Sequence, residues 1–418
     1  MNFQLDDPSL LQTGLFINGQ WLDREAKLDV TDPATGEVIA SVATASADDT
    51  EQAIAAAEVA FKSWRLTTAK QRSAPLKKWF QLIMDNQQDL AKILTAEQGK
   101  VLAEATGEIA YGAAYIEWFA EEAKRIYGDT IPQPSNDRRL LCIKQPIGVV
   151  ACITPWNFPN AMLTRKIAPA LAAGCTVVCK TASETPLSAL ALAELAKRAG
   201  IPDGVINMVV GKASIIGPVL TASPVVRKLS FTGSTEVGKV LLEQCAGTVK
   251  KVSMELGGNA PFIVFEDADL DAAVNGLLAS KYRNSGQTCV CTNRVFVQQS
   301  IYQQFSDKLV AAVESRLSVG NGFADGVTNG PLINKGAVST VIDLVERSVA
   351  QGARILTGGL VSDLGDCYYL PTILGDVTND MPIAREEIFG PVAPLIKFDT
   401  EQQVIDMAND TNVGLASY

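Results

Sequence analysis

The fold of this chain is decided by residues 148–180, which read GVVACITPWNFPNAMLTRKIAPALAAGCTVVCK. Residues 148–153 form a short apolar run, residues 162–172 have helical periodicity, and residues 175–179 form a second apolar run. Short apolar strands that alternate with helices are typical of a parallel sheet covered by helices on both faces. The stretch therefore predicts one strand–helix–strand unit of a Rossmann-like, doubly wound α/β fold.

The same alternation continues to residue 256 and predicts one large sheet. Further strands are expected at residues 205–210, 227–231 and 249–256, and further helices at 186–198, from 213, and at 234–245. A second α/β series begins near Ala260, so we place a domain boundary at residues 257–259. A helical region over residues 48–125, started by Ser46, precedes the sheet, and a strand at residues 139–144 is expected to form a separate small sheet.

Composition excludes several classes of protein. With 418 residues, a net charge of −10 and no basic stripe, the chain is long enough for two domains and is not expected to bind nucleic acid. The first residues are acidic and unlike a signal peptide, and no uncharged apolar run is long enough for a membrane span. Eight cysteines without pairing rhythm, and no histidine, predict a cytoplasmic protein without disulfides or a metal site.

Covalent chemistry is predicted at Cys289. This cysteine follows a Gly-Gln-Thr turn, and Glu255, close to Gly257 and Gly258, is the nearest candidate base in sequence terms. Because the chain has no histidine, any assistance to the cysteine must come from another group. A cysteine nucleophile with a glutamate base points away from cysteine proteases and toward aldehyde oxidation.

A nucleotide site is predicted at the carboxyl ends of the strands, although the Gly-x-Gly-x-x-Gly fingerprint is absent. Gly233 begins a P-loop-like sequence that ends in Val240 where a Mg²⁺-binding Ser or Thr is required, so a nucleoside triphosphatase is excluded. A strand, a glycine turn and a helix N-terminus still offer backbone N–H groups to a phosphate. Polar or glycine turns follow four successive strands and contain Thr154, Pro155, Trp156 and Asn157; Lys180, Thr181, Ala182 and Ser183; Gly211; and Phe231, Gly233 and Ser234.

Five motifs together resemble the aldehyde dehydrogenase superfamily over nearly the whole chain: PWNFP (155–159), FTGS (231–234), ELGG (255–258), GQTC (286–289) and EIFGP (387–391). Within it, the chain is most similar to bacterial succinate-semialdehyde dehydrogenases. The resemblance implies a cofactor domain at residues 1–126 and 147–257, an oligomerisation arm at 127–146, a catalytic domain at 258–418, and a homodimer or homotetramer. It also implies cofactor contacts from Ile153, Val237, Leu256, Glu387 and Phe389.

The same resemblance implies a role for each catalytic residue. Cys289 attacks the aldehyde carbon as a thiolate, and the Asn157 amide and the Cys289 backbone N–H stabilise the oxyanion. Hydride transfer to a nicotinamide leaves a thioester, which a water activated by Glu255 hydrolyses. Lys180 is counted with both the catalytic and the cofactor-binding residues.

NADP is the expected cofactor. Related NAD-preferring enzymes carry a glutamate at the place of Ser183, and a carboxylate there would repel a 2′-phosphate. The Ser183 hydroxyl can instead donate to that phosphate, and Lys180 adds positive charge. Glu184 follows immediately and could turn inward, so NAD remains usable.

The substrate is expected to carry a carboxylate at its far end. Arg165 and Arg283 map to substrate-tunnel positions where relatives that act on apolar aldehydes have aromatic residues. Two guanidinium groups there favour an anion. Succinic semialdehyde is the first choice, and glutaric semialdehyde, one methylene longer, and other ω-oxo acids are the alternatives.

Two further expectations concern Cys291 and the end of the chain. Cys291 is a candidate for a redox switch, because a disulfide to the neighbouring catalytic cysteine would be strained and easily reduced. Members of the family continue well beyond Tyr418. A truncated, weakly active protein that binds nucleotide or a partner subunit is therefore the alternative from another functional class.

Overall fold

The computed structural model describes residues 3–418, so Met1 and Asn2 of the acidic N-terminal segment lie outside the described residues. The chain forms two compact units. Unit 1 comprises the residues up to Thr31 together with Val38–Glu97 and Ala105–Glu255, and unit 2 comprises Asp32–Glu37, Gln98–Glu104 and Leu256–Tyr418.

The elements of the first 255 residues alternate as the sequence predicts. The strands are β1 (Leu15–Ile17), β2 (Gln20–Leu22), β3 (Lys27–Thr31), β4 (Val38–Ala43), β5 (Asp129–Ile131), β6 (Leu140–Cys142), β7 (Val149–Ile153), β8 (Thr176–Lys180), β9 (Ile206–Val209), β10 (Val226–Thr232) and β11 (Lys251–Glu255). The helices are α1 (Ala47–Trp64), α2 (Ala69–Asp85), α3 (Gln87–Gln98), α4 (Leu102–Glu122), α5 (Pro159–Ala172), α6 (Leu187–Arg198), α7 (Ala213–Ala222) and α8 (Thr235–Ala246).

Unit 1 is built on a seven-stranded sheet with the order β11-β10-β7-β8-β9-β1-β2. The five strands from β11 to β9 are parallel, and β8 and β9 are buried along their whole length. Strands buried on both faces have continuous apolar sequences, which is why the pattern could be detected in the sequence. The predicted α/β fold is confirmed.

A short hairpin extends this sheet where the sequence shows only strand-like pieces. β1 and β2 pair antiparallel, and β1 joins β9, also antiparallel. Asn18 and Gly19 connect them with φ of 51° and 75°, the positive values of a two-residue type I′ turn. The Asn18 N–H donates to the Asn207 side chain at 3.0 Å, which fixes the hairpin to β9.

Helix starts follow local sequence signals. The Ser46 hydroxyl accepts from the Asp49 N–H at 3.1 Å and the Asp49 carboxylate accepts from the Ser46 N–H at 3.0 Å, so the predicted start of α1 is confirmed as a capping box. α5 begins at Pro159, three residues earlier than its apolar period indicates. Proline fits the first helical position because its missing N–H would have no helical partner there.

Two pairs of strands form small sheets of their own. β3 pairs with β4 and β5 pairs with β6, both antiparallel. β6 lies within the predicted 139–144 strand, and the prediction of a separate small sheet is confirmed. All residues of β5 and β6 are exposed.

Unit 2 is also α/β. Its elements are β12 (Ala260–Val264), α9 (Leu270–Lys281), β13 (Thr292–Gln298), α10 (Tyr302–Arg316), α11 (Lys335–Ala350), β14 (Arg354–Thr357), β15 (Thr372–Val377), α12 (Pro382–Arg385), β16 (Val392–Phe398) and α13 (Glu401–Asn409). The sheet order is β12-β13-β16-β15-β14, with only β14 antiparallel among these strands. Successive side chains of β13 enter two separate apolar cores, Val295 in one and Phe296 in the other, as strand alternation requires.

Two short segments that the sequence analysis places in the first domain group with unit 2 instead. In residues 32–37, the Ala34 carbonyl accepts from the Tyr368 hydroxyl at 3.4 Å. In residues 98–104, the Leu102 N–H donates to the Gly322 carbonyl at 3.0 Å. These contacts join residues more than two hundred positions apart, so no local pattern could indicate them.

None of the helices within residues 3–418 combines the length and the apolar character needed to cross a membrane. All eight cysteines are free thiols.

Candidate active site

The segment that precedes Cys289 has an unusual backbone. Asn284, Ser285 and Gly286 are consecutive and have φ of 51°, 53° and 79°, in the left-handed region. A residue other than glycine loses roughly 1–3 kcal/mol there, so surrounding contacts must hold the segment. One of them is the Ser285 hydroxyl, which donates to the Gly330 carbonyl at 2.7 Å.

Glu104 and Gln287 supply further contacts. The Asn284 N–H donates to both carboxylate oxygens of Glu104, each at 3.0 Å. Gln287 is fully buried, and its Nε2 donates to the Asn284 carbonyl at 3.1 Å while its Oε1 accepts from the Ile333 N–H at 2.9 Å. The backbone leading to the half-buried thiol of Cys289 is therefore firmly fixed.

The paired glycines of the ELGG motif permit two close approaches within unit 2. A Cβ on Gly257 would lie 2.5 Å from the Glu387 carboxylate, and a Cβ on Gly258 would lie 2.9 Å from the Cys289 carbonyl oxygen. The Gly258 N–H donates to Glu387 Oε1 at 3.4 Å. The glycines therefore bring Glu387 and the cysteine segment against one stretch of backbone.

The carboxyl ends of the parallel strands bring predicted cofactor residues together in unit 1. The Thr154 N–H, after β7, donates to the Lys180 carbonyl, at the end of β8, at 3.2 Å. The Ser183 hydroxyl donates to the Gly211 carbonyl, after β9, at 3.2 Å. Of the other predicted residues here, Ile153, Pro155 and Trp156 are half-buried and Thr181 and Ala182 are buried.

The turn after β10 lies beside the end of β11. The Gly233 N–H donates to the Glu255 carbonyl at 3.0 Å, and the Glu255 side chain is exposed. A Cβ on Gly233 would lie 2.4 Å from the Phe231 ring, so a larger residue would require that ring to move. The Ser234 hydroxyl caps α8 by accepting from the N–H of the exposed Val237 at 3.4 Å.

Asn157 is buried next to this edge of the sheet. Its side-chain Oδ1 accepts from the Phe158 N–H at 3.1 Å. Because the oxygen is used in this way, the amide is oriented with its Nδ2 donor on the opposite side. An oriented amide donor is what an oxyanion site requires.

Two buried glutamate side chains at this edge were not predicted from the sequence. Glu108 accepts from the Asn160 and Ala161 N–H groups at the start of α5, at 3.0 and 3.2 Å. Glu97 accepts from the first two N–H groups of α6, at 2.6 and 2.8 Å. The first N–H groups of α5 and α6 are thus occupied by glutamate side chains of the chain itself, whereas the hydroxyl of Ser234 caps α8.

Lys166 is a third residue that was not predicted from the sequence. It is buried on α5, and its Nζ donates to the Ser230 hydroxyl at 3.0 Å. Burial lowers the pKa of Lys166 to about 8, partly opposed by Cys152 and Glu255. The available signal was its helical position, because Lys166 follows buried Leu163 by three residues on the apolar face of the helix.

The cationic residues predicted for cofactor and substrate have different surroundings. Lys180 is buried, which lowers its pKa, and Glu184 opposes that shift. Arg165 is half-buried and its Nη2 donates to the hydroxyls of Tyr111 and Tyr115, both at 2.6 Å. Both lie in unit 1.

The remaining predicted residues lie in unit 2. Arg283 is exposed, two residues after the end of α9, and Leu256 is half-buried. Phe389 is half-buried with a left-handed φ of 48°. Arg283 precedes Cys289 by six residues in the sequence, and the left-handed segment 284–286 lies between them.

The Cys291 thiol is buried and hydrogen-bonded. Its Sγ donates to the carbonyls of Ser280 and Lys281, at 3.0 and 2.9 Å. Burial raises the pKa of Cys291, so the reactive thiolate form is disfavoured. A disulfide to Cys289 stays a prediction.

No group of three or more Cys, Asp or Glu side chains within residues 3–418 is arranged to hold a metal ion.

Comparison with known proteins agrees with these motifs. A model of the aldehyde dehydrogenase family matches residues 21–418. The glutarate-semialdehyde dehydrogenase of Pseudomonas putida is 58% identical over 417 residues, which are 99% of this chain and 86% of that protein. The NADP(+)-dependent succinate-semialdehyde dehydrogenase of Escherichia coli is 57% identical, with the same coverage of both chains.

The fold agrees as well. The crystal structure of an NADP-dependent enzyme from Escherichia coli has a TM-score of 0.98 and 57% identity to this chain, covering 99% of this chain and 86% of that one. The resemblance predicted from the five motifs is confirmed, and this chain belongs to the aldehyde dehydrogenase family.

Proposed function

We propose that this chain oxidises succinic semialdehyde to succinate and reduces NADP. The observation that carries the proposal is Arg165, a half-buried guanidinium held by two tyrosine hydroxyls rather than by a carboxylate of the chain. A fixed cation of this kind suits the distal carboxylate of an ω-oxo acid. Similarity to a relative named for NADP and succinate semialdehyde supports both the substrate and the cofactor.

The residues of unit 1 fit a phosphorylated dinucleotide. Lys180 is buried, and its Nζ has no ion-pair or hydrogen-bond partner within the described part of the chain. The start of α8 offers backbone N–H groups beside Gly233 and Ser234. Ser183 adds a neutral hydroxyl, and no carboxylate occupies that position to oppose a 2′-phosphate.

The proposed chemistry uses three side chains. The Cys289 thiolate forms a C–S bond to the aldehyde carbon, and the Asn157 amide and Cys289 N–H donate to the oxyanion. Bound NADP supplies the acceptor for the hydride that leaves this carbon. Glu255 then removes a proton from water, whose oxygen attacks the resulting Cys289 thioester, releases the carboxylic acid and restores the thiolate.

Glutaric semialdehyde and other ω-oxo acids are the second candidate substrates. The observation that favours them is the relative named for glutarate semialdehyde, 58% identical to this chain. One methylene changes discrimination by only roughly 1–3 kcal/mol, so both acids are expected to be turned over.

We also propose a homo-oligomer in the cytoplasm. Large apolar side chains are exposed on and beside the small sheet of β5 and β6, among them Leu141 and Ile143 at 74% and 71% exposure. Such a patch is typical of a protein interface. Eight free thiols suit a reducing compartment.

A single-turnover experiment tests the proposed function. Mixed with NADP and succinic semialdehyde, the Cys289→Ala variant should form no NADPH, because no C–S bond can form. The Glu255→Gln variant should form about one equivalent and then stop at the thioester, because deacylation lacks its base. Cys291→Ala is the matched control and should turn over. Steady turnover by Cys289→Ala would refute the assignment.

A further inference from the structure

Arg165 belongs to a three-residue cluster in unit 1. Tyr111 and Tyr115 lie one turn apart on α4, with ring centroids 5.1 Å apart in an edge-to-face arrangement. The Arg165 guanidinium, from α5, lies over both rings, 4.7 Å from the Tyr115 centroid and 5.5 Å from that of Tyr111. Its Nη2 reaches both hydroxyl oxygens at 2.6 Å. Stacking and hydrogen bonds together fix the orientation of the cation.

The hydrogen bonds of this cluster run in one direction. The Tyr115 hydroxyl donates to the Tyr111 hydroxyl oxygen at 2.7 Å. The Tyr111 oxygen therefore accepts from both Tyr115 and Arg165, and its own O–H must point away from the cluster. Tyr111 is 48% exposed, so this last donor is open to a ligand. Successive donors polarise one another, which strengthens the final one.

No carboxylate within residues 3–418 forms an ion pair with the guanidinium of this cluster. Arg24 and Arg198, also in unit 1, pair with carboxylates of Asp49, Asp7 and Glu194. Arg165 forms no ion pair within residues 3–418, and its buried Nε has no hydrogen-bond partner there. Buried donors normally have hydrogen-bond partners. A fixed guanidinium without an ion pair is therefore available to an anion from outside the chain.

We propose that the Tyr111 hydroxyl binds the distal anion of the substrate together with Arg165, and that Tyr115 is a positioning residue for both. This inference rests on the proposed function and adds specificity residues to it. Two neutral hydroxyls on one side of the guanidinium leave the Nη1 edge and the Tyr111 O–H to the anion. An aldehyde without a distal charge forms no charge-assisted hydrogen bond with Arg165 and offers no anion to the Tyr111 hydroxyl.

The Tyr115 hydroxyl keeps its proton throughout the working pH range. Burial, and after it the hydrogen bond with Tyr111, raise the pKa of Tyr115 to about 12, while Arg165 opposes the shift. Acid discrimination through this cluster is therefore expected to be independent of pH between about 6 and 9.

Phenylalanine variants test the proposal because they keep the rings over Arg165. Tyr111→Phe and Tyr115→Phe should each raise KM for succinic semialdehyde about tenfold, since a hydrogen bond to a charged group is lost, with kcat nearly unchanged. KM for butanal, which has the same chain length but no carboxylate, should stay within about twofold. Ser41→Ala, which removes an exposed hydroxyl on β4 elsewhere in unit 1, is the control and should change neither.

A double-mutant cycle separates this inference from the proposed function. In an Arg165→Met background, Tyr115→Phe should add less than about twofold, because Tyr115 acts through the missing cation. Fully additive effects, or equal losses for both aldehydes, would overturn the inference. If the wild-type enzyme uses butanal as well as the acid, the proposed function fails. If it prefers the acid and both Phe variants keep the wild-type KM, only the role of the tyrosines fails.

Discussion

Three single residues determine the path of the backbone toward Cys289, because Asn284, Ser285 and Gly286 have left-handed φ values in succession. Asn284 and Ser285 are held by hydrogen bonds to the Glu104 side chain and the Gly330 backbone, whereas at Gly286 the surrounding atoms leave no room for a side chain. A Cβ on Gly286 would lie 2.1 Å from the Gly390 carbonyl oxygen. Strain close to a reacting side chain persists only where its surroundings enforce it.

Gly286→Ala should therefore abolish turnover and lower the melting temperature. The matched control is Gly326→Ala in the same unit, which has φ of +77° against +79° for Gly286 but nothing within 4 Å of the added Cβ. The free energy of unfolding of the control should fall by only about 1 kcal/mol, which is the cost of a left-handed backbone for alanine. Turnover and thermal melting of both variants decide the matter, and equal effects would mean that the close approach is unimportant.

Ser183 makes a second residue-scale prediction. Ser183→Glu should raise KM for NADP by about tenfold or more and change KM for NAD far less, because a carboxylate would face the 2′-phosphate. Ser183→Ala removes the hydroxyl without adding charge and should have a much smaller effect. Steady-state kinetics with both cofactors provide the measurement. Equal losses for NADP and NAD would remove Ser183 from the ribose site.

At the scale of elements, the helix N-termini at the sheet edge differ in what satisfies them. Glu97 and Glu108 come from the preceding helices and accept from the first N–H groups of α6 and α5. Ser46 and Ser234, by contrast, cap their own helices. The local caps were visible in the sequence, but Glu97 lies 90 residues before Leu187, so its role depends on tertiary structure.

Glu97 gives a pH prediction for α6. Burial raises its pKa from 4.5 to about 8, against the two N–H donors that lower it. Between these values the folded state holds a proton that the unfolded state releases, so the stabilisation is complete below pH 4.5 and is lost as the pH rises through 8.

The melting temperature of the wild-type protein should therefore fall between pH 5 and pH 8 by roughly 5 °C more than that of Glu97→Gln, which cannot ionise. Exposed Glu121→Gln is the control and should follow the wild type. Parallel curves for wild type and Glu97→Gln would show that Glu97 does not titrate in this range.

For the whole molecule, periodicity was enough to predict both α/β units, since buried parallel strands are continuous apolar runs. It was not enough to show the β1–β2 hairpin on the main sheet or the segments 32–37 and 98–104 in unit 2. Motifs indicated the residues of the candidate site but not their neighbours. Tyr111 and Tyr115 look like any aromatic pair on an amphipathic helix, and only the tertiary contact with Arg165 gives them a role.

The central claim is that the protein oxidises an aldehyde with an anionic far end. The most direct test is kcat/KM of the wild-type protein for succinic semialdehyde and for butanal, with NADP in excess. Because charge-assisted contacts contribute roughly 1.5–3 kcal/mol each, the account predicts a preference for the acid of about a hundredfold or more. Equal values for the two aldehydes would contradict it.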